Sequence, residues 1–197
     1  MNASPTKRVA VITGGARGIG FAAARMLAAQ GDRIVLADLN GELAHASAAR
    51  LAAETGVEAV GLKADISAPP DVARLALAVH TQFGRIDVLI NSAAVLDDKL
   101  FLASGPDDWR RMIDVCLHGP MHVLRAVLPG MVDRRYGRVV CMASDAARFG
   151  QARLSYYAAA AKAGESPLDP ALAQPLVERL SAATGQPWRI VPPSELK

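Results

Sequence analysis

The chain has 197 residues, of which 51% are hydrophobic, and its formal net charge is +3. This length is most simply one domain with a substantial core. Its basic residues are scattered, which argues against a nucleic-acid surface, and no apolar run approaches the roughly 18 residues of a membrane span.

The cysteines and the N-terminus indicate the compartment. Cys116 and Cys141 have the spacing of neither a disulfide framework nor a metal site, so we expect both to be small buried hydrophobic residues in a reducing compartment. The first residues, MNASPTKRVAV, lack the long apolar run of a signal peptide. The sequence therefore predicts a cytoplasmic protein.

From Lys7 to Met142, short apolar runs alternate with helical patterns. In chain order, strands are predicted over 8–12, 34–37, 57–63, 86–90 and 138–142, and helices over 18–30, 41–55, 69–83 and 107–131. Nearly continuous apolar strands that alternate with helices indicate a parallel sheet covered on both faces. Right-handed crossovers then predict an α/β fold with a doubly wound parallel sheet of about five core strands.

The C-terminal part has a different composition. Residues 167–197 contain six of the twelve prolines. We therefore divide the chain into a dinucleotide-binding domain at 1–163 and a divergent, irregular proline-rich tail at 164–197 that is not an independent domain. Within this tail, a helix over 171–183 and a short edge strand over 188–191 are predicted.

A glycine-rich turn, TGGARGIG, lies between the first strand and the first helix at residues 13–20. Glycines let the backbone approach a pyrophosphate, and the helix N-terminus offers free N–H groups, so this turn predicts a nicotinamide dinucleotide rather than an unliganded turn. Asp38 follows Gly20 at the interval of a carboxylate that binds the ribose 2′-hydroxyl. A carboxylate repels a 2′-phosphate, which favours NAD over NADP, although Arg17 could pair with that phosphate.

These motifs resemble the short-chain dehydrogenase/reductase family, which has a Rossmann-like fold, over about residues 7–163. The resemblance includes the turn at 13–20, Ala64-Asp65-Ile66 after strand three, Asn91-Ser92-Ala93-Ala94 after strand four, and Met142-Ala143-Ser144 after strand five. Residues 126–131 and 144–148 look most like members that act on hydroxyacyl-CoA thioesters. The resemblance implies that the cofactor is bound by Gly14, Arg17, Gly18, Ile19, Gly20, Asp38, Asp65, Ile66, Asn91 and Ala93.

The resemblance also implies a catalytic set of Ser144, Tyr157 and Lys162. In the family, the serine holds the substrate oxygen, the tyrosine exchanges a proton with it, and a lysine one helical turn later binds the nicotinamide ribose and lowers the pKa of the tyrosine. The family spacing would place the lysine at Ala161, one residue before Lys162. Five residues rotate a side chain by about 140° around a helix, against about 40° for four. A π-bulge within 158–161 would restore the pair, whereas choosing Tyr156 lengthens the gap to six.

Two more segments depart from the family pattern. Cys116 stands where the family often has an asparagine that supports a helix kink and a proton relay. His118 and His122 have i, i+4 spacing, but without a third ligand we interpret them as structural, and no metal site is predicted. After Gly164 the family's later strands and substrate loop are not recognisable, which indicates a C-terminally truncated, frame-changed or divergent member.

The resulting prediction is an NAD(P)-dependent oxidoreductase that transfers a hydride between the nicotinamide and a secondary alcohol or ketone, with hydroxyacyl thioesters among the small-molecule substrates considered. The alternative is a catalytically impaired NAD-binding pseudo-enzyme, because Lys162 is displaced and Cys116 replaces the asparagine. Family members usually assemble through the helices after strands four and five, so the resemblance also implies a homo-oligomer.

Overall fold

The computed structural model describes residues 7–149 and 153–165. The predicted helix over 171–183 and strand over 188–191 lie outside these residues. The first half of the fold contains β1 (Val9–Thr13), α1 (Gly18–Ala29), β2 (Arg33–Asp38), α2 (Gly41–Thr55), β3 (Ala59–Lys63) and α3 (Pro69–Phe83). The second half contains β4 (Val88–Asn91), a 3₁₀ turn (Phe101–Ala103), α4 (Pro106–Ile113), a π turn (Asp114–His118), α5 (Gly119–Asp133), β5 (Arg138–Cys141), α6 (Ala146–Phe149) and α7 (Ser155–Glu165).

The five strands form one parallel sheet in the order β3-β2-β1-β4-β5. Val11 on the central strand lies opposite Val35 on one side and Leu89 on the other. The chain winds outwards in one direction from β1 to β3 and then in the other from β4 to β5. This order confirms the predicted doubly wound α/β fold, and it places a switch point between β1 and β4, where ligands of such folds bind.

The core has two layers, one on each face of the sheet. Alternate residues of a strand point to opposite faces, so Val9 and Val11 pack towards α3 and α5, whereas Ala10 and Ile12 pack towards α1 and α2. β1 is buried at every residue, which explains why its sequence is continuously apolar rather than alternating. No helix in the described parts of the chain has the length and hydropathy needed to cross a membrane.

The helix α2 packs directly on the sheet at Gly61 of β3. A Cβ at this position would overlap the backbone of Ala44 and His45, and backbone atoms cannot move aside as a side-chain end can. We expect Gly61→Ala to lower the free energy of unfolding by about 2–3 kcal/mol, as overpacking of a core does, measured by urea denaturation. Gly105→Ala is the matched control, because a Cβ there meets no atom within 4 Å. Equal stability of the two variants would contradict this packing.

The predicted long helix over 107–131 is interrupted. It forms as α4, the π turn at Asp114–His118 and α5, and the N–H of Gly119 bonds to the carbonyl of Asp114, five residues earlier. Pro120 has no N–H to donate to the carbonyl of Cys116, so a regular α-helical ladder could not be complete at this point. The π turn thus ends just before Pro120, where the helical ladder already lacks one donor.

The strand β5 differs from the expectation of a sheet covered on both faces. All four of its residues are exposed, with Val139 at 38% and Val140 at 48% of their full accessible areas. Cys141 is consequently exposed, which corrects the prediction that both cysteines are buried, while Cys116 is half-buried. Both thiols are free. Among the described strands, β5 lies at the end of the sheet with β4 as its one neighbour, which leaves its other side open.

Candidate dinucleotide and catalytic site

A cleft of about 530 Å³ lies at the carboxyl ends of the strands, beside the switch point. Nine of the ten predicted cofactor residues line it: Gly14, Arg17, Gly18, Ile19, Gly20, Asp38, Asp65, Ile66 and Ala93. The remaining lining residues are Ala37, Leu39, Ala64, Ser92, Ala94, Val95, Arg111 and Val115. Segments that are far apart in the sequence thus form one elongated site.

The glycine-rich turn is compact and requires its glycines. Gly14 has a φ of +62° and Gly18 a φ of +56°, both in the left-handed region. A Cβ at Gly14 would lie 2.7 Å from the Cα of Ala93, and one at Gly20 would overlap the carbonyl of Gly14. The turn therefore packs closely against the segment after β4 and against the start of α1.

Asn91 is the predicted cofactor residue that does not line the cleft. It is buried, its Oδ1 accepts from the Thr13 hydroxyl at 3.5 Å, and its Nδ2 donates to the Cys141 sulfur at 3.5 Å. The Thr13 oxygen accepts in turn from the N–H groups of Ser92 and Ala93, at 3.2 and 3.3 Å. Asn91 and Thr13 therefore hold together the ends of β1, β4 and β5 beneath the site.

Asp38 lies at the wall of the cleft with its carboxylate fixed by two backbone amides. Its Oδ2 accepts from the N–H of Ala16 at 3.2 Å, and its Oδ1 accepts from the N–H of Asn40 at 3.1 Å. The neighbouring Leu39 is exposed. Asp38 thus presents a carboxylate at the wall of the cleft, which Arg17 lines as an exposed cation.

Asp65 and Ile66 are positioned by local hydrogen bonds. Asp65 Oδ1 accepts from the N–H and the hydroxyl of Ser67 at 2.9 and 2.6 Å, and the ring Nδ1 of His122 lies 3.2 Å from the carbonyl oxygen of Ile66. His118 instead lies 3.0 Å from Asp114. In residues 7–149 and 153–165 no three metal-ligating side chains cluster. His122 thus contacts the backbone of Ile66, which lines the cleft, and does not line the cleft itself.

Ser144 follows β5 and begins the short helix α6. Its Oγ accepts a hydrogen bond from the N–H of Ala146 at 3.3 Å, and the residue is half-buried. Because the oxygen uses a lone pair for this bond, the hydroxyl proton can still be donated to another oxygen. Such a donor is what a bound alcohol or carbonyl oxygen requires.

The two tyrosines of α7 have different surroundings. Tyr156 is buried with Met112 and Ala160, and its hydroxyl donates to the carbonyl of Asp97 at 3.5 Å. Burial raises the pKa of Tyr156, and the charge of Asp97 adds to this effect. Tyr157 is half-buried against the same cluster, to which Val95 of the cleft wall also belongs. Tyr157 is therefore the better candidate for proton exchange.

Lys162 does not share the helix face of Tyr157. The helix Ser155–Glu165 is α-helical throughout, so the π-bulge considered within 158–161 does not form, and five residues separate the two side chains by about 140°. Lys162 is exposed, whereas Ala161, four residues after Tyr157, is half-buried. The π turn occurs instead in the neighbouring helix, at Asp114–His118.

Cys116 lies in that π turn and contacts the catalytic region. Its thiol donates to the carbonyl of Val95 at 3.6 Å, and burial raises its pKa. A neutral thiol is a weak hydrogen-bond donor. The thiol also lies 3.7 Å from the Met112 sulfur, so the position at which the family often has an asparagine contributes only weak sulfur contacts and otherwise packs as a small apolar side chain.

Several lining residues escaped sequence analysis because they belong to no motif. Arg111 and Val115 have i, i+4 spacing on the helix predicted over 107–131, which places them on one helix face. That spacing was visible in the sequence. The sequence does not show, however, that this helix face lies towards the glycine-rich turn, because the packing of the helix on the sheet decides its orientation.

Comparison with known proteins identifies the family. The short chain dehydrogenase family model matches residues 8–180, so the chain belongs to the short-chain dehydrogenase family, whose members bind a nicotinamide dinucleotide. The match continues beyond residue 163, where the recognisable motifs end.

Two curated relatives show the extent of the similarity. The chain is 37% identical to galactitol 2-dehydrogenase of Agrobacterium fabrum over 153 residues, which are 77% of this chain and 58% of that protein. It is 33% identical to a 3-oxoacyl-[acyl-carrier-protein] reductase of Synechocystis over 174 residues, which are 88% of this chain and 70% of that protein. The chain thus spans less than two thirds of the length of galactitol 2-dehydrogenase.

Solved structures agree on the fold. An NAD⁺-bound xylitol dehydrogenase superposes with a TM-score of 0.80 and 30% identity, covering 91% of this chain and 68% of that one. An alcohol dehydrogenase from Thermococcus sibiricus, complexed with 5-hydroxy-NADP, gives a TM-score of 0.77 and 27% identity, covering 91% of this chain and 72% of that one. Similar folds therefore bind both forms of the cofactor.

Proposed function

We propose that this chain is an NAD-dependent oxidoreductase that interconverts a secondary alcohol and a ketone. The observation that carries the proposal is the cleft beside the switch point, with a compact glycine turn on one side and the fixed Asp38 carboxylate on its wall. Gly18 lines this cleft with a φ of +56°, and a Cβ there would meet no atom within 4 Å, so its backbone is open to the close approach of a pyrophosphate.

The choice of NAD rests on Asp38. Its two oxygens are held by amide groups, so the carboxylate cannot turn away from an incoming 2′-phosphate without losing these bonds. A ribose 2′-hydroxyl, by contrast, can donate to the carboxylate. Arg17 is exposed, and an exposed cation offsets little of that repulsion.

For catalysis we assign Ser144, Tyr157 and Lys162. When bound, the nicotinamide accepts or returns the hydride at the substrate carbon. Ser144 donates a hydrogen bond from its hydroxyl to the substrate oxygen and keeps its proton, and Tyr157 takes the proton of an alcohol or gives one to a ketone. Lys162 is the cation that this helix offers, and its separation from Tyr157 predicts a smaller contribution than a lysine at position 161 would make.

The decisive experiment combines binding and turnover. NAD and NADP are titrated by protein fluorescence, and a panel of polyols, simple secondary alcohols and hydroxyacyl thioesters is screened for the absorbance of the reduced cofactor. We expect tighter binding of NAD and turnover of at least one substrate class. Binding without turnover would identify a catalytically impaired cofactor-binding protein, and tighter binding of NADP would overturn the assignment of Asp38.

Replacement of Asp38 by asparagine tests the cofactor preference directly. Asparagine keeps one acceptor oxygen, so one of the amides of Ala16 and Asn40 would face an NH₂ group. We expect the dissociation constant of NAD to rise about tenfold or more, as for a lost charge-assisted bond, and that of NADP to change less. Glu54→Gln, at the other end of α2, controls for the change in net charge. An equal effect on both cofactors would argue against discrimination by Asp38.

Assembly and location are proposed on the family's general pattern. We propose a homo-oligomer that uses α5 and a cytoplasmic location. Multi-angle light scattering of the purified chain tests the first part, and a mass equal to that of one chain at all concentrations would contradict it.

A further inference from the structure

Ser47 is a buried polar residue that the proposed function does not use. It lies on α2, outside the cleft, and is 4% exposed. The other buried residues of that helix are all apolar: Ala44, Ala48 and Leu51. The Ser47 hydroxyl donates to the carbonyl of Ala16 at 2.7 Å, which joins α2 to the glycine-rich turn across 31 positions of sequence.

The Ala16 residue is held at both of its polar atoms. Its N–H donates to Asp38 Oδ2 at 3.2 Å and its carbonyl accepts from Ser47. Ala16 itself is 2% exposed, so water cannot replace either partner readily. Loss of one bond would leave a buried backbone group unpaired, and the turn would have to move to satisfy it.

The orientation of the Ala16 carbonyl also determines that of the next amide. A trans peptide keeps its C=O and N–H groups pointing in opposite directions, and no cis bond occurs in the described ranges. Because Ser47 draws the carbonyl towards α2, the N–H of Arg17 is directed away from α2. Arg17 and Gly18 follow at the cleft, where α1 begins.

We propose that Ser47 is a positioning residue for the dinucleotide, acting together with Asp38 to hold the Ala16 peptide and hence the glycine-rich turn in its binding conformation. The proposal rests on the proposed binding of a dinucleotide in this cleft. It gives Asp38 a second role besides reading the ribose: the same carboxylate stabilises the turn. It follows that, of the two side chains that bond to the Ala16 backbone, removal of the carboxylate leaves the Ser47 hydroxyl.

The test compares Ser47→Ala with Thr55→Val. The control removes a hydroxyl that also donates to a carbonyl at 2.7 Å on α2, that of Leu51, but at the end of the helix remote from the turn. Dissociation constants are measured for NAD and for ADP-ribose, which lacks the nicotinamide. We expect Ser47→Ala to weaken both about fivefold, the effect of one net hydrogen bond, with an unchanged kcat and a raised KM for NAD, and Thr55→Val to change neither ligand.

Hydrogen exchange separates this proposal from the proposed function. In Ser47→Ala, amides of residues 14–20 should exchange faster without ligand, while those of β1 keep their protection; Thr55→Val should leave both unchanged. Unaltered exchange in the turn, or equal affinity losses in the two variants, would overturn the role of Ser47. If the unmodified protein binds neither NAD nor NADP, the proposed function fails, and the exchange data alone decide whether Ser47 positions the turn.

Discussion

Replacing Tyr157 with phenylalanine will reduce kcat by about a thousandfold, within the range that a positioned acid or base contributes. The substitution removes the hydroxyl that we propose exchanges a proton with the substrate oxygen, and it keeps the ring that packs against the cluster around Met112. The dissociation constant of NAD should change little, because Tyr157 does not line the cleft. Initial rates with the best substrate of the panel, at saturating NAD, measure the effect.

The neighbouring tyrosine supplies the control for this prediction. Tyr156→Phe removes a hydroxyl bonded to the Asp97 carbonyl within the same helix and cluster. Because this hydroxyl bonds to a protein carbonyl in a buried cluster, we expect its removal to lower stability and to change kcat by less than about tenfold. A large loss of kcat in Tyr156→Phe, with Tyr157→Phe nearly unaffected, would reverse the assignment of the two residues.

Moving the lysine by one residue, in the double variant Ala161→Lys and Lys162→Ala, will increase kcat by about tenfold or more. Position 161 follows Tyr157 by four residues in an uninterrupted α-helix, so both side chains lie on one face. A nearby cation favours the phenolate form of a tyrosine by one to three logarithmic units, as a rough range for adjacent opposite charges. The acid limb of the pH–rate profile for alcohol oxidation should accordingly move to lower pH.

Single variants separate the effect of the position of the lysine from the effect of its charge. Lys162→Ala alone should lower kcat only slightly if the distance from Tyr157 already limits its contribution, whereas Ala161→Lys alone should give most of the gain. A thousandfold loss on Lys162→Ala would show that Lys162 acts as the family lysine despite its spacing. Circular dichroism checks that α7 persists, since Ala161 is only half-buried and lysine is a good helix former.

The π turn contacts both the cleft and the cluster of side chains against which Tyr157 packs. It lies at Asp114–His118, and Cys116 within it contacts Val95, which lines the cleft and packs near Tyr157. The sequence suggested a π-bulge in α7, but α7 is a regular α-helix and the π turn lies in the helical segment packed beside it. The position of Tyr157 relative to the cleft depends on this packing as well as on α7 itself.

The strands β1 and β2 are predictable from the sequence because they are buried at nearly every residue and the chain between them is rich in glycine. Val9–Thr13 and Arg33–Asp38 lie within one or two residues of the predicted strands. The prediction of one continuous helix over 107–131 was less accurate, because the structure has α4, a π turn and α5 there. Local periodicity is nearly the same for an α-helix and for one interrupted by a single π turn, so the sequence pattern could not reveal the insertion.

The sequence by itself determined the family, the order of strands and helices, and the residues at the glycine-rich turn and Asp38, since these depend on local spacing and on backbone freedom. Only the tertiary structure decided which groups meet. It places Arg111 and Val115 on the cleft, Ser47 against the Ala16 carbonyl, and Cys141 at an exposed edge. These contacts join residues far apart in the chain, and their formation depends on how helices pack across the sheet, which no local pattern encodes.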